Sequence, residues 1–316
     1  MLRISRARTT CRFGPDQPPV AEIAPGERLV FETQDAQAGT VKTHADALQV
    51  VLPIDQANPV TGPVYVTGAQ PGDTLAVRIL EIRLGHRGLG RVRPGRGVLG
   101  DKLRAPAANL IPIQDDRIIF NERIQFPIRP MIGTIGTAPA GCSIASYHPG
   151  PHGGNLDINA ASVGATVYLP IAVPGALLSL GDVHASMGDG ELTGSGIDIT
   201  ADVVVQLDLH HDLGWSRPVI ETPSGNQATG NCGLASVWAT CASAPTLAAA
   251  IRLASHDMAS LLCTRLGMTY EESSILIGAA GDLRLGQAAR VGVDMTAYLC
   301  ISKAILPSAF PHCFGP

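Results

Sequence analysis

Residues 165–180 read ATVYLPIAVPGALLSL, an apolar strand, a Pro-Gly pair and a second apolar strand. The stretch GPVYVTGAQPGDTLAV (62–77) repeats this pattern at an offset of about 103 residues, which aligns Tyr65 with Tyr168. A fainter copy, IAPGERLVF, occupies 23–31. Pro fixes φ at the first turn position and Gly accepts a positive φ at the next, so each pair specifies a type II turn that starts a strand. The repeat predicts two related halves in one β core; the alternative is a common β device without duplication.

The composition favours a β protein with many turns. Of 316 residues, 35 are Gly and 24 are Pro, whereas aromatic residues make up only 4%. A hydrophobic fraction of 45% is sufficient to bury a core. Short aliphatic stretches bounded by Gly and Pro indicate strands. The predicted strands lie at 28–33, 64–69, 74–82, 165–173 and 176–180.

Two loops and two helices are predicted between and after these strands. The Gly- and Arg-rich stretch at 85–101 indicates a mobile loop or flap, and YHPGPHGGNLD (147–157) indicates a loop without regular structure. Apolar residues spaced mostly by three or four predict a helix within 244–267 that ends at its final glycine. A second helix is predicted over 269–281, with Thr269 as its N-cap.

The order of these elements predicts the fold class. A strand at 297–302 follows the two helices, which form a hairpin at approximately 244–281. Helices therefore enter late in a chain that otherwise consists of strands, and no doubly wound pattern is present. We expect an α+β fold, predominantly β, as a single domain over 1–316. Its internal β repeats would occupy approximately 20–85 and 160–205.

Charge and cysteine content exclude several classes of protein. The net charge is −4 and no basic stripe occurs, which argues against a nucleic-acid partner. The seven cysteines are scattered without a CxxC pair, so neither a zinc ribbon nor a disulfide framework is expected. We interpret Cys232 and Cys241 as core or loop thiols. The basic N-terminus has no apolar segment after it, and no apolar stretch is long enough to span a membrane. We therefore expect a cytoplasmic protein.

The stretch GDVHASMGDGE (181–191) concentrates ionisable residues directly after a predicted buried strand. Strand residues two apart share a face, so Asp182 and His184 are expected to point the same way. The glycines that follow allow Asp189 and Glu191 to approach the same volume. An imidazole and several carboxylates suit a divalent cation, or a carboxylate that acts as a general base. The alternative is an acid-rich turn that caps backbone N–H groups.

Two further stretches offer polar groups to the same site. In HPGPHGGNLD (148–157), Gly153 and Gly154 would allow close backbone approach to a ligand, and Asn155 could donate to a developing oxyanion. Asp157 is a further candidate, whereas the two histidines are either site residues or exposed loop residues.

The N-terminal stretch FETQDAQAGTVKTHAD (31–46) carries Asp35 and His44 near a strand end. Surface loops often have this composition, so the alternative is an exposed polar loop without a site.

Several blocks, in order, resemble the acetamidase/formamidase family. They include HGGNLD (152–157), VPGALLSLGDVHASMGDGE (173–191) and AAGDLRLGQ (279–287), and the likeness extends from about residue 20 to 305. The resemblance implies a cytoplasmic hydrolase that splits a short amide into ammonia and a carboxylate; related members open γ-lactams. It also implies a β-rich body of two intertwined repeats, a homo-oligomer (dimer or higher), and a bound divalent metal.

The sequence departs from the family at two places beside the predicted site. Met187 stands where the family usually has Gln, and LTGSGIDIT (192–200) replaces a VCGTAIE-like run. These changes put the substrate in question more than the chemistry, and they favour a larger or more apolar amide, or a lactam. The stretches at 85–101 and 222–245 could also line a different substrate pocket.

The residues and the resemblance together predict metal-assisted hydrolysis of an amide bond. Asp182 and His184 would hold the cation with Asp35 or His44, and zinc is favoured over calcium. The remaining site residues would act on the substrate. They are Glu191 and Asp189 for proton transfer, Asn155 for the oxyanion, and Gly153, Gly154 and Met187 for substrate binding.

Two rival interpretations stay open. In the first, the metal is structural and a carboxylate or another nucleophile performs acyl transfer. In the second, the chain is a catalytically silent binding module on the same scaffold, and Met187 is the feature that most favours this.

Overall fold

Strands dominate the computed structural model, which describes residues 1–223, 236–289 and 292–307. Cys232 lies outside these residues. The three α-helices are α1 (His44–Gln49), α2 (Leu247–Leu266) and α3 (Tyr270–Ala280), and a 3-10 helix spans Lys303–Ile305. The strands in chain order are β1 (Leu2–Ile4), β2 (Thr9–Thr10), β3 (Arg12–Phe13), β4 (Ala21–Ile23), β5 (Arg28–Thr33), β6 (Val60–Val66), β7 (Thr74–Leu84), β8 (Arg87–Val92), β9 (Ala107–Gln114), β10 (Arg117–Ile119), β11 (Gln125–Pro127), β12 (Met131–Gly136), β13 (Ile144–Ala145), β14 (Pro149–Gly150), β15 (Gly153–Asn155), β16 (Thr166–Pro170), β17 (Leu178–His184), β18 (Asp198–Ile199), β19 (Ala201–His210), β20 (Val219–Glu221), β21 (Val237–Ala244), β22 (Gly281–Leu285) and β23 (Met295–Ser302).

Two large sheets organise the strands. The first has nine strands in the order β1-β5-β19-β7-β16-β20-β21-β23-β22. The second has twelve: its main path runs β11-β10-β9-β8-β18-β17-β12-β15-β14, and β6 joins it through β17 together with β2 and β4. A small third sheet pairs β3 with β13. The predicted α+β fold with predominant β structure is confirmed.

The two copies of the sequence repeat pair with each other within each of the two large sheets. β6 pairs with β17 in the twelve-stranded sheet, and β7 pairs with β16 in the nine-stranded sheet. The first strand of each copy therefore pairs with the second strand of the other copy. Gly26, Gly72 and Gly175 all have positive φ values, between 75° and 97°, as the predicted type II turns require. This pairing gives the two copies a shared core.

The main core lies between the two large sheets. Leu29, Val77 and Val205 of the nine-stranded sheet pack in one cluster with Ile132 and Leu180 of the twelve-stranded sheet. Their aliphatic side chains are almost fully buried, which supplies the largest favourable term for folding.

The helical hairpin covers the other face of the nine-stranded sheet. Met258 and Leu262 of α2 pack with Trp238 and Tyr168 in a second cluster. Thr246 and Thr269 accept hydrogen bonds from backbone N–H groups at the starts of α2 and α3, and Gly267 ends α2 with φ 67°. Both predicted helices are therefore confirmed. None of the described helices is long and apolar enough to cross a membrane.

Two stretches that were predicted as loops contain strands. The 85–101 stretch includes β8, which pairs with β9 and β18 before the chain turns. The 147–157 stretch includes β14 and β15, which pair with each other, and β15 also pairs with β12. Gly lacks strand propensity, so these Gly-rich strands give no local signal, and tertiary pairing determines them.

Candidate active site

The candidate site lies on the twelve-stranded sheet, around β17. Leu180 and Val183 of this strand both belong to the main core although they are three residues apart. Regular alternation would place them on opposite faces, so the alternation is interrupted between them. Asp182 lies there with a left-handed φ of 50°. The interruption directs Val183 into the core and leaves Asp182 and His184 together in the site.

His184 is the centre of a buried charged cluster. Its Nε2 lies 3.4 Å from Oδ1 of Asp182 and 3.4 Å from Oδ1 of Asp198, which faces it across the β17–β18 pair. Asp157 and Glu191 each also offer a carboxylate oxygen, and these two atoms and a ring nitrogen of His184 lie within 4.8 Å of one another. None of the five residues is more than 5% exposed.

A hydrogen-bond network orients the carboxylates. Asn58 Nδ2 donates to Asp182 Oδ2 at 2.6 Å and to Asn155 Oδ1 at 2.8 Å. Thr134 Oγ1 on β12 donates to Asn155 Oδ1 at 2.6 Å, and Asn155 Nδ2 donates to Asp157 Oδ2 at 2.6 Å. The amide of Asn155 is thus engaged on both sides. In this structure Asn155 orients Asp157, and its expected donation to an oxyanion stays a prediction.

Four residues of the site have left-handed backbone conformations. The φ values are 50° at Asn58, 49° at Asp157, 50° at Asp182 and 44° at Glu191. Asn and Asp tolerate this region better than most residues, but Glu does not share their advantage. Such conformations persist where surrounding contacts hold them, and they concentrate at functional sites.

The cluster carries an excess of negative charge that fits a cation. Burial alone would lower the pKa of His184, but the carboxylates of Asp182, Asp198 and Asp157 outweigh it and raise the pKa to about 10. Burial raises the pKa of Asp198 to about 7, with Asp182 and Glu191 acting in the same direction. The protein alone therefore retains protons here, and a divalent cation would replace them. Imidazole and carboxylate oxygens are suitable ligands for zinc.

Gly133 on β12 lies close against the carboxylates. A Cβ at this position would lie 2.6 Å from Asp157 Oδ1 and 2.7 Å from the backbone oxygen of Asp182. Real Cβ atoms essentially never come this close, so only glycine fits beside the cluster. The donor set beside this glycine fits a bound metal ion.

Asp35 and His44 do not join this cluster, contrary to expectation. Oδ1 of Asp35 accepts hydrogen bonds from the backbone N–H groups of Gln37 and Gly39, at 2.8 Å and 3.1 Å. His44 is exposed at the start of α1. Thr43 caps this helix, and the Thr-x-x-Asp spacing of residues 43–46 is a capping box that explains the polar residues without a site.

Asp189 anchors a turn. Among the described residues, its carboxylate forms no hydrogen bond with Glu191. Its carboxylate accepts hydrogen bonds from Asn159 Nδ2 at 2.7 Å and Tyr298 Oη at 3.1 Å, and it pairs with Arg284 Nη1 at 3.0 Å. The turn that carries Glu191 is therefore held by three donors, of which one lies on β22 and one on β23.

The residues predicted to bind substrate have other neighbours. A Cβ at Gly153 would lie 2.3 Å from the backbone oxygen of Ile135, and one at Gly154 would lie 2.2 Å from that of His148. These glycines therefore permit close approach of neighbouring backbone, and the expected approach of a ligand stays a prediction. Met187 is buried, and its backbone oxygen accepts a hydrogen bond from Arg129.

A pocket of about 150 Å³ leads to the cluster. Asn58 and Asp198 lie among its lining residues, so the pocket gives access to the carboxylates. Val51 and Ile54 supply apolar surface, and Arg91 is one of three arginines from the predicted flap that line it. A single water needs only about 10–15 Å³ of such space, so the pocket admits a small molecule.

Three site residues were not predicted from the sequence: Asn58, Thr134 and Asp198. Asn58 precedes β6, Thr134 lies in the middle of β12, and Asp198 begins β18. Asn58 and Thr134 reach the site through pairing between strands that are far apart in sequence, and Asp198 reaches it because β18 pairs with β17. A local motif search gives no signal for such contacts.

Comparisons with known proteins agree on one family. The model of the Acetamidase/Formamidase family matches residues 3–148 and 142–291. A crystal structure of an acetamidase from Bacillus halodurans is 37% identical with a TM-score of 0.88, and the match covers 95% of this chain and 97% of that one. A predicted acetamidase/formamidase from Thermoanaerobacter tengcongensis is 34% identical with a TM-score of 0.89, covering 96% of each chain.

A curated relative is more distant. A putative formamidase of Schizosaccharomyces pombe is 26% identical over an alignment of 260 residues, and the match covers 63% of this chain. The match likewise spans 63% of that relative's length.

Proposed function

The chain belongs to the acetamidase/formamidase family, and from this we propose that it is an amidase that hydrolyses the carbon–nitrogen bond of a small amide to ammonia and a carboxylate. The observation that carries the proposal is the arrangement around His184. A buried imidazole lies 3.4 Å from two carboxylates, and one of these, Asp198, lines a pocket that admits a small molecule.

We propose that a divalent cation binds at Asp182, His184 and Asp198. Ligand atoms of these three residues lie within 4.8 Å of one another, and all three side chains are buried. When bound, such a cation supplies Lewis acidity that polarises an amide carbonyl. Zinc is favoured over calcium because an imidazole is among the ligands.

Glu191 is the group that we propose for proton transfer. Its carboxylate lies within the cluster, it is 2% exposed, and its own turn is fixed by Asp189. A carboxylate in this position takes a proton from the attacking water and returns it to the leaving amine. Asp157 and Asn155 orient the neighbouring groups, and Asn58 holds Asp182.

The first prediction tests Glu191. In the variant Glu191→Gln we expect an intact fold and unchanged metal content, because Asp182, His184 and Asp198 remain. Turnover should fall about 100-fold or more, as is typical when a general base is lost. Ammonia release from formamide and acetamide, with elemental analysis of the same samples, measures both quantities. Full activity would remove Glu191 from the mechanism, and loss of the metal would make Glu191 a ligand.

The same assay tests the function itself. Amide hydrolysis that a chelator abolishes and zinc restores would support the proposal. Trapping with hydroxylamine separates the rival acyl-transfer route, because an acyl-enzyme yields a hydroxamate and direct attack by water does not. Silence across a panel of small amides and lactams would favour a binding module.

We also propose a homo-oligomer in a reducing compartment such as the cytoplasm. Tyr270 and Ile275 of α3 and Leu283 of β22 are large apolar residues that remain exposed in the single chain, as expected for an interface. The five cysteines within the described residues are free thiols, as is typical of reducing compartments.

A further inference from the structure

A second, larger cavity lies beside the candidate site. Its volume is about 640 Å³, compared with about 150 Å³ for the pocket that leads to the cluster. We call it the Arg129 pocket, and its defining residues are Asn109, Ile111, Phe120, Phe126, Arg129 and Met187. None of these residues has a role in the chemistry proposed above.

The Arg129 pocket adjoins the pocket that leads to the charged cluster. Arg91, Thr193 and Ser195 line both cavities. The hydroxyl of Ser195 lies 3.3 Å and 3.4 Å from the two carboxylate oxygens of Asp198. Gly196 also lines the Arg129 pocket, and a Cβ there would lie 2.8 Å from Nδ1 of His184. A substrate that reacts at the cluster therefore lies next to the Arg129 pocket.

Arg129 gives the pocket a positive charge without a matching carboxylate. The guanidinium is half-buried, and its hydrogen bonds go to neutral acceptors: Nε to Ser186 Oγ at 3.4 Å and Nη2 to the backbone oxygen of Met187 at 3.3 Å. Among the described residues, no Asp or Glu forms an ion pair with Arg129. Arg donors arranged in a planar fork match a carboxylate, and removal from water strengthens that pairing.

Four large apolar residues form one part of the lining. Phe120 is 41% exposed although it is a large aromatic residue, and Phe126, Ile111 and Met187 add to the same surface. Met187 is also the position at which the sequence departs from the family's usual Gln. An occupant with an apolar segment and an anionic end would cover this surface and pair with Arg129.

We propose that the Arg129 pocket binds the carboxylate end of the substrate, so that the preferred substrates are amides that also carry an apolar segment and a carboxylate. Monoamides of dicarboxylic acids belong to this class. This inference rests on the proposed amidase function. Ser186, which Arg129 contacts, is two residues beyond His184, or at most about 7 Å along the chain. The amide and the carboxylate of the substrate should therefore be separated by several carbons.

The test uses pairs of substrates. Monoamides of dicarboxylic acids of increasing length are each compared with the neutral amide of equal length, and kcat/KM is measured by ammonia release. We expect a carboxylate preference of about 10- to 100-fold at the optimal length, as for one charge-assisted pairing. In Arg129→Gln this ratio should collapse towards one, and Arg129→Lys should restore part of it. Arg252→Gln makes the same charge change on α2, away from both cavities, and should leave the ratio unchanged.

Binding of adipate, measured by calorimetry, separates the two proposals. Adipate needs no turnover, so tighter binding to the wild type than to Arg129→Gln would support the pocket even if no amide is hydrolysed. Hydrolysis of neutral amides without any carboxylate preference would overturn the inference and leave the amidase function standing. Equal adipate binding by the wild type and Arg129→Gln would overturn it as well.

Discussion

His184 is completely buried, and the acids nearest to it are at most 5% exposed. Burying charged groups away from water costs much more than an isolated hydrogen bond returns, so an arrangement of this kind needs compensation. Part of it comes from Asn58 and Asn155, which donate to the carboxylates of Asp182 and Asp157. A bound cation would supply the rest. The residues that determine the site are therefore also those that most need a ligand.

A substitution at Gly133 tests directly whether the carboxylates beside it hold the ion. In Gly133→Ala the added Cβ would meet Asp157 Oδ1 and the backbone of Asp182, so these groups must move. We expect metal affinity to fall about 10-fold or more and stability to fall by about 1–3 kcal/mol. Isothermal titration with zinc and denaturant unfolding measure the two effects. Gly188→Ala is the matched control, because a Cβ there has no neighbour within 4 Å. Unchanged zinc affinity in Gly133→Ala would show that the ion binds elsewhere.

The sequence identifies the part of the site that is local. Asp182, His184 and Glu191 fall within ten residues, and one motif search finds them together. Asn58 and Asp198 cannot be found in this way, because the pairing of β17 with β6 and β18 brings them in. Asp35 is a carboxylate of the type that could bind a metal, but it lies outside the cluster. Its Oδ1 accepts a hydrogen bond from the backbone of its own loop.

At the level of elements, helices are predicted better than Gly-rich strands. Thr246, Gly267 and Thr269 are capping residues whose effect is local, and they place α2 and α3 within three residues of the predicted bounds. β8 and β15 contain glycines that have no intrinsic preference for a strand. Their pairing is decided by neighbouring strands, and this information is not in the local sequence.

The turn that carries Glu191 depends on β22 and β23. Asp189 joins it to Arg284 and Tyr298, and Gly190 N–H donates to the backbone oxygen of Leu285 at 3.1 Å. In Asp189→Asn we expect kcat to fall about 10-fold with KM and metal content unchanged, because Glu191 loses its fixed position. Arg284→Gln should have a similar effect, and the double variant should be little worse than either single one. Additive losses would mean that the pair does not position Glu191.

At the level of the whole molecule, the two copies of the repeat share one core. β6 with β17 and β7 with β16 each join strands that are more than 80 residues apart, so neither half has a complete sheet by itself. The site lies on the twelve-stranded sheet that this exchange builds. Its geometry therefore depends on the correct folding of the entire chain, which is why global stability matters to function.

His152 links that stability to pH. It is 5% exposed, its ring contacts Phe13 edge-on, and neither ring nitrogen has a hydrogen-bond partner among the described residues. Burial lowers its pKa from 6.5 to about 4. Between these two values the unfolded chain binds a proton that the folded protein does not. Stability is therefore fully present above about pH 6.5 and is lost as the pH falls towards 4.

Because of His152, we expect the free energy of unfolding to fall by about 2 kcal/mol when the pH is lowered from about 7.5 to about 5. Denaturant unfolding at the two pH values measures the free energy of unfolding. Between them, His152→Leu should lose about this amount less of that free energy than the wild type loses. The comparison is valid even if the variant is less stable at both values, because only the difference between them is used. His44→Gln removes an exposed histidine and should keep the wild-type loss. If His152→Leu also keeps the wild-type loss of stability, another buried group causes the acid sensitivity. The imidazole of His152 must then gain a partner when it is protonated.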